Sequence, residues 1–485
     1  MNFNSFEYAI FLALVVAIHW SLPRLGWQNR VLLTASYIFY ARWDWRFLGL
    51  ILLSTLVDYG AARAMPTAAP SKRKLLLAIS LMTDLGILGF FKYFNFFLDT
   101  AISLLNTLGI QANPSSLQII LPLGISFYTF QALSYTIEVY RGNLQPTRSF
   151  VNYALFIGFF PQLAAGPIER AARMLPQIEN PRIIDGERIE SALALILLGL
   201  FKKMVIADVA ATLIAPAIFT DPARFAAGDV LLSVYLFAVQ IYADFSGYSD
   251  IARGSARLLG FELVENFNQP YFAANIADFW RRWHISLSTW LRDYIFFPFS
   301  RALLRRYGSH RSTLIQIAAH MLTMLASGLW HGANWTFILW GGLHGVYLSV
   351  HRLLLNRKLL PVKFMSPFPK RWWSILSIVV TFHLVLIAWV LFRVPSLEQV
   401  PIIYAKIGSA LLPSPNSAIN FSLLIPAILL YVVTLSVDIG QILTRDHAFT
   451  IHLPPALRTA LYTTAILCLM IFSLKPYVPF IYFQF

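Results

Sequence analysis

Charged residues are scarce in this sequence. They make up 13% of its 485 residues, whereas hydrophobic residues make up 58%. A soluble globular domain carries roughly 25% charged residues, so a chain of this length has too little polar surface to cover a water-soluble body. The composition therefore excludes a soluble enzyme and predicts an integral membrane protein.

Cysteine is almost absent as well. Cys468 is the only one, and it lies inside an apolar run. An intramolecular disulfide and a cysteine-based metal site are therefore excluded. The histidines show no spacing that is typical of zinc ligands. We expect no metal and no bound cofactor.

Internal repeats and soluble, linker-separated segments are also missing. We therefore expect a single integral-membrane domain that spans residues 1–485. The absence of a repeat counts against the inverted-repeat architecture of many secondary transporters. A transporter that moves an intact glycan or lipid is accordingly the weaker of the functional alternatives.

Long apolar runs, by contrast, occur along the whole chain, and a helix needs about 20 such residues to cross a bilayer. The clearest runs are 8–22, 47–57, 75–91, 192–200, 231–242, 337–350, 375–391, 421–437 and 461–474. Shorter runs, broken by proline or glycine, lie at 119–130 and 154–163. We predict an all-α polytopic membrane protein with about 10–13 transmembrane and re-entrant helices.

The net charge of +15 arises from lysines and arginines in short connectors between apolar runs. This is the positive-inside pattern of cytoplasmic loops. Such connectors contact membrane lipids, and they attract an anionic cytosolic substrate. We expect these partners and no nucleic acid.

The middle of the chain, residues 121–345, differs from the ends because glycines and polar residues interrupt its apolar runs. Irregular backbone at membrane depth is tolerated only where protein buries it or where it lines a water-filled cavity. This region is therefore expected to surround a cavity. Within it, Lys202 or Lys203 is a candidate to pair with an acidic residue of the core.

The segment NIADFWRRWHISLSTWLRDY, residues 275–294, predicts an amphipathic helix. Asn275 and Asp278 resemble a capping box, and tryptophans and leucines follow at helical spacing. One interpretation is an anchor at the membrane interface. The other is a cationic cytoplasmic site in which Arg281 and Arg282, with His284 nearby, hold the phosphates of a nucleotide-bearing donor.

The segment ASGLWHGANWTFILWGGLHG, residues 326–345, places His331 in an apolar stretch. No Asp or Glu lies between Asp293 and Glu398. A lone histidine in an apolar helix is more often a packed core residue, but a neutral imidazole in a dry tunnel is also a general base toward a hydroxyl. The surrounding glycines allow close approach by a neighbouring helix or by a ligand. His344, thirteen residues later, falls on a different face of a continuous helix and is predicted to be structural.

Five stretches together resemble the membrane-bound O-acyltransferase (MBOAT) family. They are PLGISFYTFQ (122–131), FFPQLAAGPIER (159–170), DFSGYSDIARG (244–254), FWRRWHISLSTWLRDY (279–294) and GLWHGANWTFILWGGLHG (328–345). The sequences of these stretches are most similar to the bacterial AlgI-like branch, which O-acetylates alginate and other polysaccharides. They are more distantly similar to the DltB-like branch.

The resemblance implies a ring of helices around a central tunnel that joins a cytoplasmic donor entrance to an acceptor entrance on the opposite side. It implies that His331 is the catalytic histidine and that His284 occupies the family's second polar position, with a supporting catalytic or tunnel role. The donor substrate would be acetyl-CoA, docked near Arg281 and Arg282. The location would be the bacterial cytoplasmic (inner) membrane.

The chain ends PFIYFQF, and Phe480, Tyr482 and Phe485 match an F-x-Y-x-x-F tail similar to that of bacterial acyl-export members of the family. By this resemblance Tyr482 would carry the acyl group to an extracytoplasmic SGNH-type, AlgX-like transferase that modifies a polysaccharide. Without the resemblance, the tail would be an aromatic anchor at the interface. Transfer of D-alanyl or another acyl group from a carrier protein remains an alternative.

Overall fold

Helices form the regular structure of the protein, and no β-strand occurs in the described residues. The computed structural model describes residues 1–112, 117–163, 166–356, 370–412, 420–473 and 478–481. Contacts between Cα atoms divide the chain into two units. The first comprises Met1–Ile196 and Tyr248–Val264, and the second comprises Leu197–Gly247 and Glu265–Phe485. The all-α prediction is confirmed, whereas the single domain, the ring and the tunnel stay predictions.

The helices are numbered in chain order. Those that begin in the first unit are α1 (Phe6–Ser21), α2 (Leu25–Asp44), α3 (Leu48–Ala64), α4 (Pro70–Leu88), α5 (Phe94–Thr107), α6 (Ile125–Arg141), α7 (Phe150–Gly158), α8 (Phe160–Leu163), α9 (Ala171–Glu179) and α10 (Gly186–Leu200). A π-helical segment, Gly89–Tyr93, joins α4 to α5.

The helices that begin in the second unit are α11 (Asp208–Leu213), α12 (Ala227–Leu258), α13 (Ile276–Arg282), α14 (Ile285–Leu291), α15 (Phe297–Tyr307), α16 (Ser312–His331), α17 (Trp335–Asn356), α18 (Lys370–Arg393), α19 (Gln399–Ala410), α20 (Phe421–Thr444) and α21 (Pro455–Phe472). Two further π-helical segments lie here: Phe201–Ala207 joins α10 to α11, and Arg292–Phe296 joins α14 to α15.

Seven stretches of the described residues are long and apolar enough to cross a membrane. They are Leu25–Ala64, Pro70–Thr107, Ala227–Leu258, Ser309–His331, Trp372–Arg393, Phe421–Thr444 and Pro455–Phe472. The protein is therefore a multi-pass membrane protein. The apolar runs of the sequence locate six of them in whole or in part. They miss Ser309–His331, which carries the histidine of interest.

The buried polar groups of the first unit include two carboxylates on neighbouring helices. Asp58 of α3 is fully buried, and Asp84 of α4 is 1% exposed. The hydroxyl of Ser80 donates to Asp58 Oδ1 over 2.6 Å, and that of Ser54 donates to Asp84 Oδ1 over 2.7 Å. The phenol of Tyr153 donates to Asp58 Oδ2 over 3.4 Å. We refer to these five residues as the carboxylate cluster. Its hydroxyl donors bind three of the four carboxylate oxygens, which would otherwise be costly to bury.

Candidate active site

Helices α16 and α17 approach each other so closely that only glycine fits at two points of contact. A Cβ atom on Gly328 would overlap the carbonyl oxygen of Phe337, and one on Gly341 would overlap the carbonyl oxygen of Met324. The sequence left open whether these glycines admit a helix or a ligand. At these two positions the structure shows that glycine allows the close approach of the neighbouring helix.

His331 is the last residue of α16 and lies beside this close contact. Its side chain is buried, with 4% of the residue exposed. The ring centroid lies 5.0 Å from that of Trp340, at right angles to it, and 5.2 Å from that of Phe392. Rings from two neighbouring helices, α17 and α18, therefore pack against the imidazole and restrict its orientation.

His284 lies at a break in the helix that the sequence predicted across residues 275–294. The predicted start is confirmed, since the Asn275 side chain accepts a hydrogen bond from the Asp278 N–H over 2.9 Å. The continuous helix was wrong, because α13 ends at Arg282 and α14 begins at Ile285. Asn266 accounts for the break: its carbonyl oxygen accepts from the Ile285 N–H over 2.9 Å and its side-chain oxygen accepts from the Ser286 hydroxyl over 2.7 Å.

The backbone of His284 adopts the left-handed conformation, with φ of 41°. Such a conformation is uncommon outside glycine and is often found at functional sites. The Nδ1 atom of its ring accepts a hydrogen bond from the Leu287 N–H over 3.4 Å, which caps α14. In the neutral imidazole the proton is therefore on Nε2. Burial lowers the pKa of His284 to about 3, so the ring is neutral near pH 7.

The two histidines of the resemblance are brought together. The ring centroids of His284 and His331 lie 6.4 Å apart, and the ring of Trp330 lies 5.7 Å from that of His284. Phe245 of α12 also contacts His284, at 4.7 Å between ring centroids. We call His284 and His331 the histidine pair.

His344 is placed apart from this pair, on a different helix rather than on another face of the same one. Its ring stacks on Phe279 at 6.1 Å between centroids and lies 4.9 Å from the ring of Trp340, which also contacts His331. Neither ring nitrogen of His344 has a hydrogen-bond partner among the described residues. Within the same residues, no group of three or more His, Cys, Asp or Glu side chains is arranged to hold a metal ion.

A pocket of about 480 Å³ lies in the second unit. Its lining comes from α13 to α17 and comprises Ala277, Trp280, Arg281, Ile285, Ser288, Thr289, Leu291, Arg292, Phe296, Phe297, His320, Thr323, Met324 and Leu348. The lining has two arginines, four hydroxyl- or imidazole-bearing side chains and an otherwise apolar wall. Such a lining suits a ligand with both a charged and an apolar part.

The two arginines predicted to bind a donor are separated by the structure. Arg281 lines the pocket with a side chain that is 71% exposed, and its guanidinium lies 3.6 Å from Asp278 Oδ1. Arg282 does not line it; its guanidinium pairs with Asp278 at 3.0 Å and donates to the Asn268 carbonyl oxygen at 3.4 Å. Arg292 lines the pocket together with Arg281, a role that the sequence did not assign to it.

Polar residues recur along one face of α16 between the pocket and His331. His320 and Thr323 line the pocket, and buried Ser327 lies one turn before His331. His320 and His331 are eleven residues apart, which is about three turns and about 16 Å along one side of a helix. The eleven-residue spacing could have indicated from the sequence that His320 and His331 share a helix face. It does so only once residues 309–331 are known to be helical.

Tyr482 and Phe485 lie outside the described residues. Phe480 and Ile481, which precede Tyr482, are buried in the second unit, with 0% and 2% exposure. The ring of Phe480 lies 5.7 Å from that of Phe245, the residue that also contacts His284.

Residues 144–392 match the model of the MBOAT, membrane-bound O-acyltransferase family, and this segment contains the histidine pair and the whole lining of the pocket. The chain is also 36% identical to the probable alginate O-acetylase AlgI of Azotobacter vinelandii, over 98% of both chains. The chain belongs to the membrane-bound O-acyltransferase family.

Two other relatives of this MBOAT protein differ in their named substrates. A peptidoglycan O-acetyltransferase of Helicobacter pylori is 37% identical over 76% of this chain and 71% of its own. A teichoic acid D-alanyltransferase of Streptococcus thermophilus is 29% identical over 56% of this chain and 68% of its own. The resemblance drawn from the sequence is confirmed, and the protein is an O-acyltransferase. Family membership decides against the transporter alternative.

Proposed function

We propose that the protein is a bacterial inner-membrane O-acetyltransferase that passes an acetyl group from cytoplasmic acetyl-CoA, by way of Tyr482, to an extracytoplasmic partner that acetylates a polysaccharide. The observation that carries the proposal is the polar face of α16, which runs from a pocket with two arginines to the histidine pair. The names of the alginate and peptidoglycan relatives support acetyl as the group that is transferred.

The pocket supplies the donor site in this proposal. Arg281 and Arg292 face the phosphates of the nucleotide, since guanidinium groups bind phosphate oxygens through paired hydrogen bonds. The apolar wall formed by Trp280, Phe296 and Phe297 suits the adenine ring and the pantetheine arm. The arm then follows the face of α16, so that the thioester arrives at His331.

The transfer itself requires a base and an acceptor. His331 takes the proton of the Tyr482 phenol as the phenol oxygen attacks the thioester carbonyl. The carbon–sulfur bond breaks, and His331 returns the proton to the departing CoA thiolate. His284 stays neutral and, with its proton on Nε2, is oriented as a hydrogen-bond donor toward the developing oxyanion.

The product of this step is an aryl ester, which is an activated acyl donor. An extracytoplasmic SGNH-type transferase would move the acetyl group from Tyr482 to a polysaccharide hydroxyl, and the phenol would be regenerated. The polysaccharide is then selected by the partner. This division of labour agrees with the different substrates in the names of the alginate and peptidoglycan relatives.

The donor site is tested by replacing the two neighbouring arginines one at a time. In purified protein, Arg281→Gln should raise the KM for acetyl-CoA about tenfold, as expected for the loss of one charged hydrogen bond. Arg282→Gln is the matched control and should change KM by less than about twofold. Equal effects of the two variants would place the nucleotide elsewhere.

The D-alanyltransferase relative supports a second candidate, in which a carrier protein delivers the acyl group. Such a carrier presents its thioester on a phosphopantetheine arm without an adenine nucleotide. If the pocket binds the nucleotide of acetyl-CoA, acetyl-pantetheine, which lacks it, should be a poor donor for this protein. Arg281→Gln should then not weaken the use of acetyl-pantetheine further. If acetyl-pantetheine and acetyl-CoA are used equally well, the nucleotide-binding role fails and a carrier protein becomes the favoured donor.

A further inference from the structure

A cluster of charges is buried in the second unit, outside the pocket and the histidine pair. The Nζ atom of Lys203 lies 2.8 Å from Asp208 Oδ1 and 2.9 Å from Asp244 Oδ1. The side chains of Lys203 and Asp244 are 1% and 2% exposed, whereas that of Asp208 is 17% exposed. The predicted pairing of a lysine with core carboxylates is confirmed for Lys203. Buried charges are expensive unless other groups complete their hydrogen bonding.

The backbone of residues 478–481, in the C-terminal tail, completes the hydrogen bonding of Lys203 and Asp244. Lys203 Nζ donates to the carbonyl oxygen of Val478 over 3.1 Å, and the N–H of Ile481 donates to Asp244 Oδ2 over 2.8 Å. One cation and one anion of the cluster therefore each hold one backbone group of the tail. Between these two contacts, Phe480 is fully buried.

Local backbone geometry brings the two charged groups together. Lys203 lies in the π-helical segment Phe201–Ala207, and single π turns inside helices are frequent at functional sites. A Cβ atom on Gly247 would come within 2.7 Å of the Gly199 carbonyl oxygen and 3.0 Å of the backbone nitrogen of Lys203. Glycine at this position lets α12 approach the π-helical segment, and Asp244 lies one turn earlier on α12.

The tail contact is continuous with the histidine pair. Phe245 follows Asp244 directly, and its ring contacts both Phe480, at 5.7 Å, and His284, at 4.7 Å. His284 in turn lies 6.4 Å from His331. Ile481, whose N–H is bound by Asp244, is joined by its peptide bond to Tyr482.

We propose that Lys203 and Asp244 are positioning residues that clamp the backbone of residues 478–481 and so hold the tail where Tyr482 is loaded. This proposal rests on the proposed function, because it presumes that Tyr482 receives the acetyl group. Asp208, like Asp244, pairs with Lys203, but it contacts no tail atom in the described residues. Asp208 is therefore the natural control.

The test compares Asp244→Asn with Asp208→Asn, and Ile481→Pro with Ile481→Ala, in otherwise intact purified protein. Asp244→Asn weakens the acceptor of the tail N–H, and Ile481→Pro removes that N–H while leaving the charge cluster untouched. The two controls make equivalent changes that leave the N–H to Asp244 contact in place. Because Ile481→Pro alters only the tail, it remains informative even if Asp244→Asn is poorly folded.

Two readouts are needed: the rate at which carboxypeptidase shortens the tail, followed by intact mass, and the acetylation of the tail by labelled acetyl-CoA. Asp244→Asn and Ile481→Pro should be digested about tenfold faster and should lose most tail acetylation, as expected for one charged hydrogen bond. Transfer to an added soluble phenol should be retained, because His331 is unchanged. A merely structural role would reduce transfer to both acceptors.

The clamp is overturned if Asp244→Asn and Ile481→Pro match their controls in digestion rate and in tail acetylation. Failure of the proposed function gives a different result. In that case the wild-type tail never becomes acetylated, whereas its protection from carboxypeptidase still depends on Asp244 and on the Ile481 N–H; docking of the tail then stands and its role in loading falls.

Discussion

The carboxylate cluster of the first unit and the histidine pair of the second unit are both buried polar centres, yet their surroundings differ. Hydroxyl groups of Ser54, Ser80 and Tyr153 point at the carboxylates of Asp58 and Asp84. Around His331, the rings of Trp330, Trp340 and Phe392 pack within 5.2 Å between centroids. Hydroxyl donors fix a polar group in one state, whereas aromatic walls orient a ring and exclude water. The first arrangement suits stability and the second suits proton transfer.

The largest effect is expected at His331. Replacement by Asn should lower acetyl transfer by about 10²–10⁴-fold, which is the usual contribution of a general base. His344→Phe is the matched control, since it replaces a buried imidazole by a ring of similar size and removes two nitrogens without partners among the described residues. It should leave transfer within about threefold of wild type. Rates measured with labelled acetyl-CoA on monodisperse protein would reveal the contrast; similar losses in both variants would contradict it.

The second effect is expected where α16 and α17 touch. Gly341→Ala should lower the free energy of unfolding by about 1–3 kcal/mol and disturb His331, because its new methyl group would overlap the Met324 carbonyl oxygen. The control is the adjacent Gly342→Ala, whose Cβ atom would lie 3.6 Å from a Leu325 methyl group, an ordinary contact. Thermal stability in detergent and transfer rate should both separate the two variants. A Gly341→Ala protein as stable and active as Gly342→Ala would show that the close approach is unnecessary.

A smaller effect is expected from His284→Asn, because asparagine tolerates the left-handed conformation and can cap α14. The wild-type ring has a pKa of about 3 when folded and about 6.5 when unfolded. On acidification the unfolded chain therefore binds a proton first, and wild type loses stability below about pH 6.5. The variant lacks this loss, so its stability relative to wild type should improve by about 2 kcal/mol between pH 7 and pH 5. Melting curves at the two pH values measure this. A constant difference would mean that folded His284 binds its proton over the same pH range as the unfolded chain.

The smallest effect on transfer is expected in the first unit. Ser54→Ala leaves Asp84 without the hydroxyl that donates over 2.7 Å. It should lower the free energy of unfolding by about 1–3 kcal/mol, while the transfer rate of the folded fraction and the KM for acetyl-CoA stay within about twofold of wild type. Urea or thermal denaturation and steady-state kinetics check the two parts. A specific loss of transfer in a stable Ser54→Ala protein would show that the carboxylate cluster takes part in catalysis.

Much of the second unit could be anticipated from local patterns. The composition predicted the membrane class, and the motif around residues 326–345 singled out His331. The span that carries His331 was missed because Gln316, His320 and Ser327 dilute the apolar character of α16. The break at His284 was also missed, since it depends on Asn266, a residue eighteen positions earlier. Long-range contacts of this kind, including the one between Asp244 and Ile481, produce no periodic pattern in the sequence from which they could be predicted.

The most direct measurement is the mass of the C-terminal peptide after purified protein has been incubated with isotopically labelled acetyl-CoA. In the wild type we expect one labelled acetyl group on Tyr482, removable by mild base as expected for an aryl ester. In His331→Ala that label should be absent, although the donor still binds. Equal labelling of Tyr482 in both proteins, or a label that stays in place when Tyr482 is replaced by Phe, would contradict the proposal that His331 loads the tail.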